Sequence, residues 1–305
     1  MGPLGGVLAV FLQLTGATAR PVECVPADGT AGTNVWERAK APHLRRYCDL
    51  LASGSAKLAG IPPGAGPDGA RAQAGEVLAI ADEAEKLVPD RIFPAILRGR
   101  ALARLGRWDD ALAALAAVRK KDERALGDAF ALLAWARANA RTGHMDEASA
   151  AYRMLLPQAK SLPPVDRSLA SLEAGLVLMG RGPAAIDDAV AVLRQARRDA
   201  QDAVLGASVL ALALALDRAG QKDEARGVLA ERGRTDPRPL FADARVKEAL
   251  ANAAALAEAE ALAAIGLEAV DAAAAREAWA RYEKVKGPWN DHARARDPAK
   301  RKGPG

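Results

Sequence analysis

The chain has 305 residues, of which 50% are hydrophobic and 27% charged. That balance excludes an intrinsically disordered protein and fits one elongated helical array or two compact domains. Only 4% of residues are aromatic, and the 43 basic against 38 acidic side chains leave a net charge of +5, too small an excess over this length to argue for nucleic acid. Alanine recurs throughout; it loses no side-chain entropy in a helix and lets helices approach closely, so the composition points to helices stacked on helices.

In chain order, residues 4–14 form a short apolar stretch followed by Ala17-Thr18-Ala19, an A-x-A cleavage pattern before Arg20. No Lys or Arg precedes the stretch, which is too short to span a bilayer. Residues 1–19 read as a signal peptide, which predicts an exported protein of the periplasm or cell envelope without a transmembrane anchor once cleaved. Residues 20–41 form an extended segment. The only cysteines, Cys24 and Cys48, follow the proposed cleavage site. In an oxidising compartment they would pair as one disulfide; otherwise one is a buried thiol and the other a loop thiol. Neither CxxC nor metal-ligand spacing is present, so no metal and no cofactor is expected.

From residue 42 to 290 the sequence repeats itself. Gly106-Arg107-Trp108-Asp109-Asp110-Ala111 recurs as Gly143-His144-Met145-Asp146-Glu147-Ala148 and as Gly220-Gln221-Lys222-Asp223-Glu224-Ala225. Each block lies between two apolar-periodic helices. Glycine can end the first helix in a left-handed conformation, acidic residues suit the N-terminus of the second, and a small alanine fits where the two cross. This glycine–acidic–acidic–alanine turn resembles the tetratricopeptide repeat. Gly99, Ala136 and Ala213 fall where the repeat places a small residue, and Leu115, Tyr152 and Leu229 where it places a large one. Val77 lies 34 residues before Ala111, the period of the repeat.

Weaker copies surround Asp187-Asp188-Ala189 and Ala278. An atypical first hairpin pairs a helix over residues 42–59 with one over 75–87 across a Pro/Gly-rich loop. Between Ala225 and Ala278 lie 53 residues, more than one repeat, and the excess is expected to lengthen the following helix. The very apolar residues 204–216 read as a helix buried on nearly all sides. Residues 291–305 read as a basic disordered tail.

The resemblance implies an all-α, right-handed solenoid of stacked antiparallel hairpins, with the first helix of each pair lining a concave groove. The groove positions of two adjacent copies hold Phe93, Arg100 and Arg104, then Phe130, Arg137 and Arg141. This predicts a basic ladder over an aromatic floor, and on that reading reversing Arg137 would weaken an acidic partner while sparing the fold. Otherwise the arginines are solvated or pair with acids of neighbouring helices. Further along, Leu172, Leu176, Leu210 and Leu214 make the face apolar, with Arg218 the one added charge; a neighbouring loop or the N-terminal segment could also cover these leucines. The lysine–asparagine carboxylate clamp of chaperone-binding members is not reproduced.

Nothing in the sequence carries catalysis. His43, His144 and His292 are scattered, and no P-loop, GxGxxG, GxSxG or HExxH pattern occurs. The carboxylate pairs sit at helix N-termini, where the helix dipole accounts for them. The sequence therefore points to a non-catalytic scaffold or adaptor binding proteins or peptides, those with acidic segments among them. A cytoplasmic regulatory or accessory subunit of a larger complex is the alternative.

Overall fold

The computed structural model describes Cys24 and residues 42–122, 124–285 and 287–296. The signal-peptide reading of residues 1–19, most of the extended segment, and the last residues of the basic tail lie outside the described residues. Those described form fourteen α-helices and no strand. They are α1 (Pro42–Ala59), α2 (Gly66–Leu87), α3 (Ile92–Arg104), α4 (Trp108–Lys121), α5 (Ala129–Arg141), α6 (Met145–Leu155) and α7 (Pro164–Gly180). There follow α8 (Ile186–Asp199), α9 (Asp202–Arg218), α10 (Lys222–Arg232), α11 (Ala244–Asn252), α12 (Glu258–Leu267), α13 (Ala272–Glu283) and α14 (Asn290–Arg296).

The repeated turn block builds the hairpins. Gly106, Gly143 and Gly220 adopt φ of +70°, +85° and +79°. In each case the next residue's N–H donates to the carbonyl five positions back: Arg107 to Leu102, His144 to Asn139 and Gln221 to Leu216. That bond satisfies a carbonyl the ending helix leaves free. The acidic residues occupy the first turns of α4, α6 and α10, and Ala111, Ala148 and Ala225 are buried at the crossing. Close approach is most demanding at Gly99, where an added Cβ would lie 2.6 Å from Leu115 Cγ, and at Gly175, where it would lie 2.4 Å from Leu193 Cγ.

Helices pair as α1–α2, α3–α4, α5–α6, α7–α8, α9–α10 and α12–α13, and consecutive pairs stack. The first helices also touch one another, α1 with α3, α3 with α5, α7 with α9 and α9 with α12. Two cores result, a smaller one under α1–α3 and a continuous one from α3 to α14. Helix α9 is the centre of the larger: residues 207–218 are all buried. Cys24 and Cys48 are joined by a disulfide, which ties a residue from ahead of the helical array to α1.

Three boundaries differ from the sequence reading. Helix α2 begins at Gly66, directly before Pro67, so it includes much of the expected loop; proline is tolerated in a first helical turn. The 53-residue interval does not lengthen the next helix, since α12 has only 10 residues. Proline at 237 and 239 and the left-handed Ala254 (φ +51°) break the chain, and between them lie a 3-10 turn (Arg238–Ala242) and α11. Helix α11 folds back onto the first-helix face, against α5, α7 and α9.

Residues 290–296 are likewise not tail but helix. Trp289 is buried and donates Nε1–H to the Met179 carbonyl at 2.7 Å. Arg294 meets Glu283, and Arg296 meets both Asp217 and Glu268.

Glycine substitutions separate packing from propensity. Gly99→Ala and Gly175→Ala should each lower stability by about 1–2 kcal/mol, because overpacking against a buried leucine outweighs the helix propensity gained. Gly227→Ala, on exposed α10 with open space around its Cα, should instead raise it by about 0.5–1 kcal/mol. Urea unfolding checks all three.

Candidate functional site

The first-helix face divides into a closed and an open part. The closed part is organised by Glu173 on α7, which has no solvent exposure. Arg137 on α5 donates to both its oxygens, Nε to Oε2 and Nη2 to Oε1, each at 2.9 Å. Tyr152 Oη on α6 donates to Oε2 at 3.0 Å and Asn252 Nδ2 on α11 to Oε1 at 3.1 Å. Four helices thus meet at one carboxylate, which needs this many donors because burying it unpaired would be very costly. Burial pushes Glu173 upward in pKa against the Arg137 charge and the donated hydrogen bonds.

Leu172, Leu176, Leu210 and Leu214 are 1% exposed or less, and Leu210 packs against Gly266 of α12. They belong to the core rather than to an open groove. Leaving them in water would forfeit about 1.5–3 kcal/mol each, and the extra segment carrying α11 supplies part of the cover. Arg218 is buried as well: Nη1 lies 2.9 Å from Glu258 Oε2, Nη2 donates to Tyr282 Oη at 2.8 Å, and the guanidinium lies over Trp289 at 4.8 Å. These five positions are not available to a partner in this arrangement.

The open part is a pocket of about 70 Å³ between the end of α1, α3, the start of α4, α5, the start of α7 and α11. Arg100, Arg104 and Arg137 line it together with Trp108, Phe130, Asp166 and Glu248. Arg100 lies over the Phe130 ring at 5.0 Å and, among the described residues, no carboxylate comes within ion-pair distance of it. Arg104 donates to the Ile61 carbonyl at 3.1 Å and stands 3.8 Å from Glu248 Oε1. Glu248 Oε2 in turn accepts from the Gly64 backbone N–H at 2.5 Å, so α11 also reaches the loop between α1 and α2. Arg141 is exposed and lies over the Trp108 ring at 4.8 Å, again without a carboxylate among the described residues.

Burial lowers the pKa of Arg100, Arg104 and Arg141, and at Arg104 the Arg137 charge adds to it. A guanidinium stays charged regardless, so the same forces leave these cations favouring an anion.

The ladder expected from the sequence is therefore reorganised. Arg100, Arg104 and Phe130 share the pocket, and Arg141 stands beside it on Trp108. Arg137 is 8% exposed and neutralised by Glu173, so it is an internal tie and not a rung. Phe93 does not line the pocket; it packs between the two cores. Trp108, Asp166, Glu173 and Glu248 were not singled out as site residues. Trp108 sits inside the repeated turn block, but the three acids of α7 and α11 carry no local signal.

Among the described residues, no group of three or more His, Cys, Asp or Glu side chains converges as a metal site. None of the described helices is long and apolar enough to cross a membrane. No protein-family model matches the chain, and no curated protein matches it.

The corrected roles of the arginines give opposite mutational outcomes. Arg137→Glu would bury two carboxylates together and should cost at least about 3–5 kcal/mol, or prevent folding. Arg141→Glu, at an exposed side chain, should change stability by less than about 1 kcal/mol. Urea denaturation of the two variants beside wild type measures both.

Proposed function

We propose that this chain is a non-catalytic scaffold that binds protein partners through the open part of its first-helix face. In this reading the hairpins wind into a right-handed solenoid of tetratricopeptide type, and the pocket lies on its concave side. The repeated turn geometry and the Gly99–Leu115 contact support that arrangement. The Cys24–Cys48 disulfide favours an exported protein working in the cell envelope, since such bonds persist in oxidising compartments.

One observation carries the binding role. Arg100 and Arg141 are held against aromatic rings with no described carboxylate within ion-pair distance. Elsewhere on this molecule basic side chains commonly meet acids, as Arg98 meets Asp82 and Glu85, Arg194 meets Glu224, and Arg296 meets Asp217 and Glu268. One such guanidinium in the pocket and another beside it, both against aromatic rings, suit a surface that a partner completes.

Crosslinked capture from the native envelope fraction tests this, comparing wild type with Arg100→Glu and with Arg276→Glu, a reversal on α13. A partner recovered by wild type and Arg276→Glu should be lost with Arg100→Glu. Equal recovery by all three would remove the pocket from the binding surface.

A further inference from the structure

Resting on the reading of this face as a protein-binding surface, we propose that the pocket takes a single carboxylate from a partner, a glutamate or aspartate side chain, at Arg100, and discriminates against phosphate. Of the three arginines lining the pocket, Arg137 is neutralised by its bidentate pair with Glu173. Arg104 faces Glu248 at 3.8 Å and feels the Asp166 charge as well. Among the described residues, Arg100 alone of the three has no carboxylate within ion-pair distance. Outside the Arg137–Glu173 pair the lining charges balance in number, Arg100 and Arg104 against Asp166 and Glu248. Both acids, however, bear on Arg104, while Arg100 feels the Asp128 charge from beyond ion-pair distance, so the place for an added carboxylate is at Arg100. A carboxylate brings one negative charge to Arg100, whereas a phosphomonoester brings roughly −1.5 to −2 at neutral pH and sets the additional charge beside the Asp166 and Glu248 carboxylates.

Geometry agrees with charge. The contact of the Arg100 guanidinium with the Phe130 ring, 5.0 Å from its centroid, restrains the side chain, and a guanidinium can receive a carboxylate in bidentate fashion. The volume of about 70 Å³ is near half that of the ~150 Å³ cavity known to hold benzene. It suits a carboxyl group with one or two methylenes, for which Trp108 offers an apolar wall. Glu248 already displays the mode of entry. It is a helix glutamate reaching the pocket from α11, with one oxygen towards Arg104 and the other accepting from the Gly64 N–H. The chain fills the Arg104 station itself and leaves the Arg100 station for a partner.

The test uses the full chain with three capped tripeptides, followed through the arginine Nε–H resonances by NMR. The probes are acetyl-Ala-Glu-Ala-amide, acetyl-Ala-Ala-Ala with a free C-terminal carboxylate, and acetyl-Ala-phosphoserine-Ala-amide. The glutamyl peptide should shift the Arg100 resonance saturably and bind at least about fivefold more tightly than the phosphoserine peptide, the penalty expected from like charges in a partly desolvated site. The chain-terminal carboxylate should bind more weakly than the side chain. Arg100→Gln should abolish the glutamyl response, and Arg100→Lys should weaken it by keeping the charge without the fork. Glu248→Gln retains an oxygen for the Gly64 N–H and removes the repelling charge, so it should narrow the gap between phosphoserine and glutamyl peptides. Circular dichroism confirms that each variant is folded.

Phosphoserine binding as tight as glutamyl, tighter binding of the chain terminus, glutamyl binding that survives Arg100→Gln, or no response to any probe would each overturn the assignment. These outcomes leave the broader scaffold reading to partner capture. Peptide binding that depends on Arg100, alongside captured partners that do not, would instead remove the pocket from the partner-binding surface.

Discussion

Glu173 brings a carboxylate to a place no water reaches, and the surrounding architecture is arranged so that this is tolerable. Isolated, the charge would cost several kcal/mol even after relaxation. It is held by donors from three further helices: the Arg137 fork of α5, Tyr152 of α6 and Asn252 of α11. Two of these elements would stack anyway as one hairpin. The third, α11, is distant in sequence and short, at nine residues, below the length at which an isolated helix is stable. Its apolar residues Val246, Ala249 and Leu250 are buried, so hydrophobic packing holds it while Asn252 fixes its register against α7. A buried polar contact of this kind specifies a position more than it adds stability.

Placing α11 there divides the first-helix face. Beneath and beyond it the leucines of α7 and α9 are core, and α9 is buried nearly all round. Short of it, Arg100 and Arg104 of α3 line a pocket whose far wall is α11's own Glu248. The closed part and the open part therefore share a cause: the same helix that covers part of the apolar stretch presents one acid to Arg104 and none within ion-pair distance to Arg100. Pairing Arg137 with Glu173 sets the remaining charge, because it withdraws one of the three lining cations from any outside ligand.

The hairpins were legible because their signals are local. A glycine with positive φ, an acidic first turn and a small crossing residue recur within six-residue blocks, and Gly99 opposite Leu115 follows from the register they set. The buried character of α9 was legible from apolarity alone. What escaped the sequence depends on contacts between distant residues. Glu173 lies 36 residues from Arg137 and 79 from Asn252, Glu248 lies 184 from Gly64, and no periodicity links them. Arg100 and Arg137 occupy equivalent repeat positions yet have opposite fates, since only Arg137 finds a glutamate on the next first helix. The long interval after Ala225 did register as excess, but its fold-back was not visible, because nothing local distinguishes a helix that extends its neighbour from one that returns to cover it. Nor did residues 290–296 declare themselves; their charge suggested a tail, whereas Trp289 and the acids Asp217, Glu268 and Glu283 anchor them.

The central claim is that α11 is an integral wall of this face, locked by the carboxylate at Glu173. Native-state amide hydrogen exchange tests it most directly, because exchange through global unfolding and through local opening report different free energies. Amides of α11 that donate within the helix should exchange with the same opening free energy as those of α7. In Asn252→Ala, α11 alone should fall to a lower value while α7 keeps its own. Rapid exchange of α11 in the wild-type protein, with α7 still protected, would mean that α11 is a loosely held flap, and would contradict the account.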